Sequence, residues 1–73
     1  MMIKTRKLPA TSTDGERMRA TADNGATLTI PYPYTLENLI SPNRYVAVCL
    51  ARAMGWNEDV RHGGGHNFHT EER

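Results

Sequence analysis

The stretch Glu16-Arg17-Met18-Arg19-Ala20-Thr21-Ala22-Asp23-Asn24-Gly25-Ala26-Thr27-Leu28-Thr29-Ile30 decides the fold. Its first half alternates, with Met18, Ala20 and Ala22 on one side and Arg17, Arg19 and Thr21 on the other. Its second half alternates again, Ala26, Leu28 and Ile30 against Thr27 and Thr29. A period of two is the mark of a half-buried strand. Asn24-Gly25 lies between the halves, and Asn-Gly is the strongest short signal for a hairpin. The stretch therefore predicts two antiparallel strands with one apolar face that needs a cover.

Working outward, residues 3–8 form a candidate first strand closed by Pro9, which cannot donate to a ladder. Residues 10–15 are small and polar and end on Asp14-Gly15, which is loop chemistry. Beyond the hairpin, Pro31-Tyr32-Pro33-Tyr34 favours an extended exit from the sheet. Residues 35–40 suit a short helical turn with Thr35 as its cap. Ser41-Pro42 then starts a helix, Ser as N-cap and Pro as first helical residue. The helix is predicted over 42–54, with Val46, Cys49, Leu50 and Ala53 on its apolar stripe. Gly55 suits a left-handed C-cap, and Trp56 can fold back on the last turn.

These elements predict an α+β fold: a three- or four-stranded antiparallel sheet with one helix packed on a face. Residues 1–56 are expected to form one small domain. Its expected core is Ile3, Met18, Ala20, Leu28, Ile30, Val46, Cys49, Leu50, Ala53 and Trp56. Residues 57–73 read as a Gly/His-rich polar tail, either flexible or adding a short closing strand at 67–70 anchored by Phe68.

The bulk numbers narrow the function. Seventy-three residues exclude a two-domain enzyme with a cleft between lobes. Only twelve residues are Leu, Ile, Val or Phe, so the core is thin and homo-oligomerisation or a partner would help it. Cys49 is the one cysteine, so no internal disulfide forms and a cytoplasmic setting is expected. No apolar run is long enough to span a bilayer, and residues 1–10 lack the apolar core of a signal peptide. A net charge of +1 argues against coating nucleic acid by bulk charge. The charge is uneven, however: residues 1–34 carry a net +2 and residues 57–73 a net −2.

Residues 7–20, Lys7-Leu8-Pro9-Ala10-Thr11-Ser12-Thr13-Asp14-Gly15-Glu16-Arg17-Met18-Arg19-Ala20, followed by Thr29-Ile30-Pro31-Tyr32-Pro33-Tyr34 and then Gly55-Trp56, carry a resemblance. In order and spacing they resemble small phage and prophage proteins with an L-P-A-T-x-T-x-G-x-R-x-R-A, T-I-P-Y-x-Y, Gly-Trp pattern. The resemblance covers residues 4–56 and leaves out the His-rich tail. It implies a phage-encoded protein working in the host cytoplasm and carries no mechanism with it.

Two surfaces are candidate sites. Tyr32, Tyr34 and Tyr45 are the only tyrosines, and Tyr side chains are favoured anchors at protein interfaces. They point to a non-enzymatic protein-binding module docking on a host or viral protein; the competing reading is that they cover the open end of the core. The alternative surface is the polar face of the hairpin, Arg17 and Arg19, joined by Lys4 and Arg6 if strand one pairs in that register. Thr11 and Thr13 of the adjoining loop add hydroxyls. Such a face can hold the phosphates of nucleic acid. It competes with a merely solvated sheet surface rich in β-prone threonine.

No catalytic constellation is present. Cys49 lies on the apolar stripe, and Ser41 is accounted for as a cap. His62, His66 and His69 have ligand-like spacing, but three glycines between the first two oppose a helix, and no metal or other cofactor is expected.

Overall fold

A computed structural model of the chain describes residues 1–33 and 41–71. Strands β1 (Met2–Leu8), β2 (Arg17–Ala22) and β3 (Thr27–Pro31) precede helix α1 (Pro42–Met54), and β4 (Arg61–His62) and β5 (Asn67–His69) follow it. All five strands pair antiparallel in the order β3-β2-β1-β5-β4, with the helix across one face. The fold is α+β, as the sequence predicts, and the sheet is wider than the three or four strands expected. The predicted turn at 35–40 lies outside the described residues.

The hairpin forms at the predicted place but through a longer turn. Ala22 N–H donates to the Ala26 carbonyl, leaving Asp23, Asn24 and Gly25 in the loop. Gly25 alone takes a positive φ, 89°, so this is a three-residue connection and not a two-residue Asn-Gly turn. Asn24 Oδ1 accepts from Ala26 N–H and closes the loop locally.

The helix is bounded as its ends dictate. Ser41 Oγ accepts from Arg44 N–H at 3.1 Å, Pro42 opens the first turn, and Gly55 at φ 74° ends the last. Trp56 N–H then donates back to the Ala51 carbonyl, and the indole is buried against the core. The buried stripe, however, is Val46, Ala47, Leu50 and Ala51. Cys49 is only half-buried and Ala53 is exposed, so both leave the expected core. The helix is rotated to put Ala47 and Ala51 against the sheet. Alanines let the helix axis approach closely, and hydrophobicity alone cannot separate them from Cys49 and Ala53.

The core joins Ile3, Met18, Ala20, Ala22, Val46, Ala47, Leu50, Ala51, Trp56, Val60 and Phe68. Leu28 and Ile30, expected inside, are half-buried at the sheet's edge strand. Residues 57–71 are part of the domain: Phe68 pairs opposite Ile3, and Val60 and Thr70 are buried. Of the two readings of this segment, the closing strand anchored by Phe68 is the one formed, as β5; Val60 and Thr70 are anchors the composition does not reveal. Thr5 and Asn43 supply another. The buried Thr5 hydroxyl donates to the His66 carbonyl at 2.7 Å and accepts from Asn43 Nδ2 at 2.9 Å, tying helix, central strand and the β4–β5 turn together.

Candidate nucleic-acid interface

Alternation sorts the side chains of each strand onto two faces. Ile3, Met18, Ala20 and Phe68 meet the helix, so the opposite face carries their neighbours. The register makes the layout explicit. Lys4 stands opposite Thr21 on one side and Asn67 on the other, and Thr21 opposite Thr27. Arg6 stands opposite Arg19, and Arg19 opposite Thr29. Arg17 stands between Leu8 and Pro31. Lys4 and Arg6 therefore share the face of Arg17 and Arg19, the register on which the sequence reading depended. Farther across, His69 lies between Met2 and Arg61, extending the face through the closing strand that the sequence offers as an alternative to a flexible tail.

Lys4, Arg6 and Arg19 are exposed and Arg17 is half-buried. Among the described residues none of the four forms an ion pair; the two ion pairs present are Lys7–Glu16 at 2.8 Å and Arg52–Glu58 at 2.7 Å. The Glu58 carboxylate raises the Arg52 pKa, first by accepting its hydrogen bond and then by its charge, so Arg52 stays charged and paired with Glu58. Arg19 Nε donates to Thr29 Oγ1 at 3.1 Å, which fixes one edge of its guanidinium over β3. Arg17 Nε is shut off from solvent with no hydrogen-bond partner, and Leu8 across from it is 9% exposed. Arg17 lines a shallow cavity with Asp14, Glu16, Thr29 and Pro31, so two carboxylates stand near this end of the face.

Carboxylates stand at the margins. Asp23 in the hairpin turn accepts the Met2 N–H at 3.1 Å. Asp59 and Glu71 line a shallow cavity with Arg61 and His69, so the β4 end of the face is less basic than its centre. The centre is the block Lys4, Arg6, Arg17 and Arg19.

The other sequence candidates fall elsewhere. In the 11–15 loop the Thr11 hydroxyl accepts from Asp14 N–H at 3.0 Å, and Thr13 Oγ1 donates to Asp14 Oδ2 at 3.5 Å. Both hydroxyls are turned onto their own loop beside a carboxylate, a poor setting for a phosphate. Tyr32 follows β3 and lies under the Lys7 ammonium, 5.0 Å from the ring centre, while Lys7 also pairs with Glu16. Tyr45 is half-buried on the helix, one turn before Cys49. Tyr34 lies outside the described residues. The three histidines have separate surroundings: His62 meets the Gly65 carbonyl and the edge of Phe68, His66 Nδ1 meets Asn43 Nδ2, and His69 faces outward. Among the described residues no group of three potential ligands is placed to hold a metal.

No helix among the described residues is long and apolar enough to cross a membrane. No protein-family model, curated protein or solved structure matches the chain.

Proposed function

We propose that the chain is a small, non-enzymatic nucleic-acid-binding protein that holds phosphates on the open face of its sheet. The observation that carries the reading is the block Lys4, Arg6, Arg17 and Arg19, four cations on one face, Arg6 directly opposite Arg19, with no ion-pair partner among the described residues. A solvated sheet face kept for solubility has no reason to set Arg6 directly opposite Arg19, since like charges opposite one another destabilise a sheet. Threonine hydroxyls at positions 21, 27 and 29 border the block and offer further donors to phosphate oxygens. Among the described residues no Phe, Tyr or Trp lies on this face, so binding follows the backbone and discriminates little between bases. The phage-type setting in a host cytoplasm belongs to the same proposal.

The protein-docking reading through Tyr32, Tyr34 and Tyr45 has less support. Tyr32 is already engaged by Lys7.

The test is fluorescence anisotropy with a labelled oligonucleotide across a salt series. Four phosphate contacts give log K against log salt a slope of about −3 on single strands. The double variant Arg17→Ala/Arg19→Ala should lower the slope by about 1.5 and weaken binding to every sequence alike. A salt-independent affinity, or none at low salt, rejects the proposal.

A further inference from the structure

The two edges of the sheet are unlike. At one edge β4 has two residues, Arg61 and His62, and such short, charged edges resist pairing. At the other edge β3 runs Thr27-Leu28-Thr29-Ile30-Pro31 and carries no charge. Its main chain is also open. Ala26 and Tyr32 bond to β2, and alternation gives Leu28 and Ile30 the same direction, so Thr27, Thr29 and Pro31 point their main chain outward. Thr27 and Thr29 are exposed and, among the described residues, have no further main-chain partner. Pro31 fits this alternation, because the N–H it lacks would face away from the sheet.

We propose that β3 is the docking edge for a second copy of this chain, antiparallel, about a two-fold axis through Leu28. The edge is self-complementary in that register. Thr27 of each copy stands opposite Thr29 of the other and exchanges both hydrogen bonds, which satisfies every outward N–H and carbonyl of the two threonines. A register shifted to put the axis at Thr29 sets Thr27 against Pro31, which has no N–H to return. The chosen register also places the two Leu28 side chains side by side, and Leu28 is half-buried in the single chain. A two-fold axis through an antiparallel strand pair stands perpendicular to the sheet. Both helices therefore lie on one side and both basic faces on the other, forming one ten-stranded surface about 43 Å across with the two Arg19 residues about 16 Å apart, three strand spacings across and two residues along. The pairing rests on the main chain alone. Its consequence, a doubled phosphate track, rests on the proposed function.

The strand contact is small, so association should be weak and depend on concentration. Sedimentation velocity of the full chain, without nucleic acid, should show a mass rising toward twice 8.2 kDa as concentration increases. Thr29→Pro removes an outward N–H and the hydroxyl that accepts from Arg19 Nε, but no charge, so the salt slope still counts the same cations per chain. It should keep the circular dichroism spectrum and remain monomeric throughout, and Thr27→Pro is the second edge variant should the first fail to fold. Leu28→Cys in a Cys49→Ser background should cross-link under mild oxidation, fixing the register. A wild type monomeric at every concentration overturns the proposal, and so does a dimer that both proline variants leave intact. The salt slope of the Thr29→Pro monomer separates the two readings. About half the wild-type slope supports both, whereas a dimer without nucleic-acid affinity removes the basic-face reading and leaves the pairing standing.

Discussion

Arg6 and Arg19 stand directly opposite each other on adjacent strands, on the face the helix leaves uncovered. Two unit charges roughly 6 Å apart in water repel by about 0.7 kcal/mol. Among the described residues the only acceptor holding either guanidinium is the neutral hydroxyl of Thr29. A fold as small as this one tolerates such a pair most readily if an anion relieves it.

Replacing Arg6 by Thr should therefore separate stability from binding. The change removes the repulsion and adds a β-prone residue, so unfolding in urea should show stability unchanged or raised by about 0.5 kcal/mol. Affinity for an oligonucleotide at low salt should fall about 3- to 10-fold, with the salt slope lower by about 0.7. A variant both less stable and equally tight would show that Arg6 serves the fold and not the ligand.

Phe68 tests whether the segment after the helix is integral. It is buried opposite Ile3, with the Arg44 guanidinium 5.4 Å from its ring and His62 at its edge. Phe68→Ala should cost about 3–5 kcal/mol. Chains of this size have a total stability of only about 4–11 kcal/mol. Thermal melts should show the variant partly unfolded at room temperature or close to it. A melt within a few degrees of wild type would mean that residues 1–56 fold without it.

Thr5 is the polar counterpart. Thr5→Val keeps the shape but deletes a hydroxyl that gives one hydrogen bond and takes another. The loss should be about 1–3 kcal/mol, because the His66 carbonyl loses a donor and the Asn43 amide an acceptor. Hydrogen exchange should speed up in the β4–β5 turn more than in the 17–31 hairpin; uniform acceleration would mean that the network does not hold that turn in particular.

Gly55 ends the helix at φ 74°, with open space where a Cβ would go. Gly55→Ala therefore meets backbone strain without a clash, and its cost should be about 1 kcal/mol. The midpoint of urea unfolding is the measurement. A larger loss would point to a rearranged Trp56, whose N–H reaches back to Ala51 from the residue after the cap.

The elements that local chemistry governs were legible in the chain itself. Alternation around Asn24-Gly25 placed the hairpin, and Ser41-Pro42 and Gly55 bounded the helix, because each of these signals acts on backbone groups within a few residues. The alternation also put Arg17 and Arg19 on one face. Pairing between distant segments was a different matter. That Lys4 and Arg6 join that face depends on a register between β1 and β2, and a slip of one residue would have turned both inward. Val60 and Phe68 look isolated in a glycine-rich stretch and become core only because β5 closes on the far side of β1. The helix stripe turned on Ala47 and Ala51, small residues whose value lies in how near they let the sheet come. Hydrogen-bonding rules and residue shape set the local elements, whereas the tertiary structure decided which strand is central, which edge stays open and where the positive charge converges. Those outcomes depend on contacts between residues far apart in the chain.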